Sequence, residues 1–261
     1  FAQACTDEAD TTVYCDGAFA EPVAYENVDD LTLVLGANSP TSVIATDENV
    51  AVLVSGSGHL GISSDADVTV SSPDTAFGLN VSALKPAVIE VRNTGDVAVE
   101  AGIAAVGIIA NGEGAATVDN SGTIAPTSQS GYADGISVLG QVANVANSGA
   151  ISASGAGRVR GVSVSGAFVT VENCDCGDIA ATSEDGTAHG VRVSGSHGVR
   201  IINRGDIAVG SEYGQAVDID AMSAQGNVTV HNTATGSISA EATGSGSEDV
   251  SPDGIGVRAT S

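Results

Sequence analysis

A chain of 261 residues with 32 acidic and 8 basic side chains, net charge −24, has no basic footprint for nucleic acid and no attraction for an anionic membrane surface. Hydrophobic residues make up 42% of it, yet it has no tryptophan, 3% aromatics, 34 glycines and a single lysine, Lys85. This excludes a mainly helical protein and predicts an aliphatic core on many short strands; no apolar run reaches the roughly 18 residues of a transmembrane helix.

The chain opens Phe-Ala-Gln-Ala-Cys, small residues alternating as around a signal-peptidase site, which predicts export through the Sec pathway. Residues 1–27 lack regular alternation and hold Phe1, Tyr14, Phe19 and Tyr25. They read as an N-terminal cap shielding a strand edge, with the repeating domain spanning 28–261. Alternation begins at Leu31-Thr-Leu33-Val-Leu35 and continues through Val50–Val54, Val68–Val70 and Phe77–Leu79.

From residue 93 a repeat is explicit. Asn93-Thr-Gly95, Asn120-Ser-Gly122, Asn147-Ser-Gly149 and Asn203-Arg-Gly205 recur, and Asn173…Gly177 and Asn232…Gly236 carry two extra residues. The glycines lie 27, 27, 28, 28 and 31 residues apart. An alternating segment such as Val169-Thr-Val171-Glu precedes each asparagine, Val or Ile two residues past each glycine opens the next, and Gly with a β-branched residue (Gly135-Ile136, Gly161-Val162, Gly190-Val191) supplies a third. Three short strands per unit, stable only against neighbouring units, predict one coil of a right-handed parallel β-helix, a β-solenoid of roughly eight to ten coils and 40–45 Å. The six asparagines should stack as a ladder of amides, each followed by a glycine free to take positive φ.

Arg204-Gly205-Asp206 spells a tripeptide that integrins recognise, but Gly205-Asp206 occupies repeat positions also held by Gly95-Asp96 and Gly177-Asp178. It is expected to lie flat at a coil corner.

The cysteines form two local pairs. In an exported protein these predict disulfides, and a rod would keep Cys5 and Cys174 too far apart for the roughly 4.4–6.8 Å Cα separation of a bridge. Cys5–Cys15 is therefore expected to staple the cap, and Cys174–Cys176 to close a small ring. Of the eight basic residues, Arg158, Arg160, Arg192, Arg200 and Arg204 fall within two coils. They either neutralise local carboxylates or form a docking patch for another acidic copy.

The pattern Gly-Ile/Val, then Val-x-Val-x-Asn, then Gly-x-Ile, with acidic Gly/Ser-rich composition and few, closely spaced cysteines, resembles the β-helical passenger domains of autotransporters (type V secretion) over residues 28–261. The resemblance implies the surface of a Gram-negative bacterium. Unlike that family, no autochaperone region or membrane barrel follows; the sequence stops inside an expected coil, around Ile255 and Val257.

Chemistry has little support. Ser196-His197 and Arg200 suggest a glycan hydrolase only faintly, adjacent paired aspartates are missing near them, and Asp134, Asp218 and Asp220 are expected to be solvated, outward carboxylates. No Gly-Gly-x-Gly-x-Asp calcium repeat occurs; weak surface Ca²⁺ binding is the only cofactor left open. The expectation is a non-catalytic exported surface rod, adhesive and self-associating head to tail through the arginines and the coil of Ile255 and Val257, with other copies or cell-surface ligands as partners. The alternative is a polysaccharide lyase or hydrolase.

Overall fold

The computed structural model describes residues 4–8, 11–39, 41–243 and 254–261. They contain strands and turns and no helix, wound as a parallel β-solenoid whose rungs belong to a thirteen-stranded and a nine-stranded sheet. Each coil has three sides. In one, the strand Tyr132–Asn147 runs along the first side, bends at Gly140, and continues along the second, while Ala150–Gly155 forms the third. The next coil repeats this in register: Ile136 lies beside Val162, Val145 beside Val171, Asn147 beside Asn173 and Ile151 beside Ile179. These are the three strands per repeat that the sequence spacing predicts.

The core consists of columns. Val97, Ile124, Ile151, Ile179 and Ile207 stack along the third side, each no more than 1% exposed. Leu79, Ile108, Ile136, Val162, Val191 and Ile219 stack opposite them, all fully buried. Burying a side chain of this size contributes about 1.5–3 kcal/mol, and the neighbouring coils supply part of the cover.

The asparagine corner forms as expected. Nδ2 of Asn93 donates to Oδ1 of Asn120, and the pattern passes through Asn147, Asn173 and Asn203 to Asn232, each contact 2.8 or 2.9 Å. The second amide hydrogen of each reaches the carbonyl of the following repeat glycine, from Gly95 to Gly236. The reason for those glycines differs from expectation. Among the described residues positive φ is confined, for glycine, to Gly17, Gly36, Gly56 and Gly58. A Cβ at Gly122 would instead run into the carbonyl of Gly95, one at Gly149 into Gly122, and one at Gly205 into Gly177. Close stacking of coils, not backbone handedness, requires glycine there.

The parallel winding starts earlier than residue 28. Thr12–Asp16 pairs in parallel with Thr32–Leu35, and Ala18–Phe19 with Ser42–Val43. Val13 and Cys15 point inward, 4% and 0% exposed, a pattern a five-residue strand is too short to advertise. Among the described strands only Ala4–Glu8 stands outside the winding, antiparallel to Thr12–Asp16 with Cys5 opposite Cys15 and disulfide-bonded to it. Cys174 and Cys176, by contrast, are free, which corrects the expected ring. Their inserted turn is closed by the backbone itself, Gly177 N–H to the Cys174 carbonyl at 2.9 Å.

Candidate functional site

Two places on the rod carry something other than a packed column. The first is the last described coil. Gly254–Thr260 lies in register with Ala216–Met222, so Ile255 and Val257 continue the columns of Val217 and Ile219. On the second and third sides of the coil before it, the aliphatic alternates are less covered. Val228, Val230, Ile238 and Ala240 are only partly buried, and Val257 is 46% exposed.

The second is a charged column along the first side. Register places Asp134, Arg160, His189 and Val217 one above another, and beside them Ser137, Ser163, Arg192, Asp220 and Arg258. Arg160 grips Asp134 with two nitrogens, Nε to Oδ1 at 2.7 Å and Nη2 to Oδ2. Arg192 Nε lies 3.8 Å from Asp220 Oδ2, and His189 Nε2 lies 3.6 Å from the same oxygen. Burial, against the opposing pull of Asp220, pushes the His189 imidazole down to about 4. The ring is therefore neutral near pH 7, and its approach to Asp220 is not an ion pair there.

The expectation of solvated carboxylates is overturned. Asp134, Asp218 and Asp220 are 2%, 0% and 4% exposed. Asp218 is the most unusual. Register aligns it with a column of glycines, Gly78, Gly107, Gly135, Gly161 and Gly190. A Cβ on four of these would strike the isoleucine column opposite, Gly107 against Ile124 and so on to Gly190 against Ile207. Asp218 puts a carboxylate where those coils hold no side chain at all. Neither of its oxygens has a hydrogen-bond partner, and burial raises its acid to about 7. Sequence reading missed this because Val-Asp-Ile-Asp looks like ordinary alternation; the signal was the interrupted glycine column.

The five arginines do not form one patch. Arg158, Arg160 and Arg192 line a common pocket. Arg200 lies in register with Thr170 and Thr229 on the second side, and Arg204 is bound to Glu172. The split follows from the bend in the coil: within Ala188–Asn203, Arg192 lies on one side of the Gly195–Gly198 corner and Arg200 on the other. The backbone of the integrin-like tripeptide is held in the stack as well, Arg204 N–H to the Asn173 carbonyl at 2.8 Å and Asp206 N–H to that of Gly177 at 3.1 Å. His197 stacks on Phe168 at 5.5 Å and contacts the Ser196 hydroxyl, and among the described residues it pairs with no carboxylate.

A second polar corner went unread. Ser128, Ser183, Ser211 and Ser223 each accept the backbone N–H three residues on, at 2.9–3.1 Å, from Gly131, Gly186, Gly214 and Gly226. The Ser-x-x-Gly spacing was visible in the sequence. Among the described residues no group of three or more His, Cys, Asp or Glu converges as metal ligands. Burial, and Glu172 beside it, raise the Cys174 thiol, leaving it a poor nucleophile.

Compared with family models, with curated proteins and with solved structures, the chain gave no match in any of the three.

Proposed function

We propose that this chain is an exported, non-catalytic structural rod of a bacterial surface, of the autotransporter-passenger kind, that holds out an adhesive layer and associates end to end with other copies. The observation that carries the rod is the unbroken amide ladder from Asn93 to Asn232. Inward positions are spent on aliphatic columns and corner positions on Asn, Ser and Gly, so this architecture favours stiffness and length. Association is supported by Val228, Val230, Ile238 and Ala240, which are only partly buried where the matching positions of earlier coils are fully covered.

Sedimentation velocity and negative-stain imaging across a concentration series test this. The expected result is linear oligomers lengthening with concentration, and shortened by Val257→Asp or Val230→Asp. A strict monomer at high concentration rejects self-association. Cleavage of an acidic polysaccharide, lost in Asp218→Ala or His197→Ala, would instead establish the glycan-processing alternative.

A further inference from the structure

Three of the eight basic residues of a chain with net charge −24, Arg158, Arg160 and Arg192, converge on one pocket. Its volume is about 330 Å³, and Ser163, Ser165, Ser194 and Met222 contribute to the lining. That lies at the lower end of the ~300–1,000 Å³ typical of small-ligand sites.

Two of the guanidiniums are braced by buried acids. Asp134 and Asp220, 2% and 4% exposed, hold Arg160 and Arg192 respectively. A pairing of this kind occupies one edge of a guanidinium and leaves further N–H groups free to donate. Arg158 forms no ion pair among the described residues, though Asp134 attracts it, and it rests over the ring of Tyr132, 5.3 Å from its centroid. Burial and the nearby charges of Arg160 and Arg192 lower its proton affinity, as expected where positive charge is in excess. Three cations against two carboxylates leave the pocket positive on an otherwise acidic rod.

The rest of the lining is suited to a polyhydroxylated ring. The hydroxyls of Ser163, Ser165 and Ser194 have no partner within the described chain. Ser165 and Ser194 stand in one outward column between Leu139 and Met222, which are 49% and 36% exposed. That column offers hydroxyls at its centre and apolar surface at both ends.

We propose that this pocket binds an acidic sugar, its carboxylate or sulfate on Arg158 and Arg192, its hydroxyls on the serines, and its C–H face on Met222. The same chemistry serves a free acidic monosaccharide and a residue of an acidic polysaccharide. An acidic segment of a second copy is the weaker fit. It would use the arginines but not the serines, and would bring a second body of charge −24 against the first. The assignment stands independently of end-to-end association.

Titration calorimetry of the full chain at ~0.15 M salt, where exposed charges are screened beyond about 8 Å, tests it with galacturonate, polygalacturonate, chondroitin sulfate and neutral dextran. Binding of the acidic probes and not of dextran is expected, galacturonate alone sufficing if the pocket takes a free residue. Arg158→Ala and Arg192→Gln should each weaken binding roughly tenfold or more, as loss of a charge-assisted contact does, and Arg200→Ala should leave it within about twofold. Ser194→Asp, at an exposed position, places a negative charge in the pocket and should abolish binding. Thermal melting identifies any variant that misfolds, and the exposed Arg158 and Ser194 keep the test usable if Arg192→Gln does. The proposal is overturned if no anionic probe binds, or if binding survives all three pocket variants unchanged. It is also overturned if Arg158→Ala abolishes self-association in sedimentation while no sugar binds, which would assign the pocket to a second copy.

Discussion

Asn120 donates its amide hydrogen to Oδ1 of Asn147 at 2.9 Å, and Asn147 hands the same bond on to Asn173. Each interior amide of the ladder thus serves as acceptor from one coil, donor to the next, and donor to its own turn. Asn147→Ala removes all three roles at a 1% exposed site and orphans Oδ1 of Asn173. A loss of about 2–4 kcal/mol is expected, from several buried groups left unsatisfied. Asn232→Ala, at the exposed end, should cost about 1 kcal/mol or less. Chemical denaturation of the two variants checks the gradient; equal costs would refute the ladder as a cooperative element.

The ladder also stops short at one end. Oδ1 of Asn93 is buried without a partner, and the residue in register below it is Ser64. Serine is too short to reach, and its hydroxyl accepts from Ala66 N–H at 3.3 Å instead. Ser64→Asn should extend the ladder by one amide and stabilise the protein by about 1 kcal/mol, one added net hydrogen bond. A midpoint in denaturant that does not rise would count against this.

With Cys5–Cys15 bridged and Cys174 and Cys176 free, a thiol reagent should titrate two sulfhydryls in the native protein and four after full reduction. Exposed Cys176 should react ahead of Cys174, whose thiol is raised by burial. Reduction should cost about 3 kcal/mol, the loop-closure contribution of a ring this short. No free thiol in the native state would restore the second bridge.

Two buried groups on adjacent coils shape the pH response in opposite senses. Folding moves His189 from 6.5 to about 4 and Asp218 from 3.8 to about 7, in each case chiefly through burial. Unfolding between about pH 4 and 6.5 therefore takes up a proton at His189 and releases one at Asp218, and the two slopes cancel. Above that window only the Asp218 penalty still grows, and stability should fall until about pH 7. Asp218→Asn should expose the histidine slope, with stability rising from pH 4 to 6.5. His189→Gln should expose the aspartate slope, with stability falling from pH 4 to 7. At pH 8 Asp218→Asn should be more stable than the parent by on the order of 2–4 kcal/mol, at about 1.4 kcal/mol per pKa unit. Denaturant midpoints across pH measure all three curves; parallel curves would show that neither group titrates in that range.

What the sequence by itself determined is whatever repeats. The Asn-x-Gly corners, the Val-x-Val alternation and the near-constant period define three sides, inward columns and the amide ladder, because each is a local pattern that one coil imposes on the next. Even Ser-x-x-Gly was there to be read. Tertiary structure alone decided which non-repeating residues meet. Asp134 and Arg160 are 26 positions apart and become partners because Asp134 lies beside Arg160 in the register. Arg200 has the same charge and is a near neighbour of Arg192 in sequence, yet the corner between them turns it onto another face. Asp218 was expected in water and lies buried, because its position is fixed by the glycine column beneath it and not by its own polarity. A carboxylate's surroundings depend on coils one period away, and the residues that specify the winding carry no record of them.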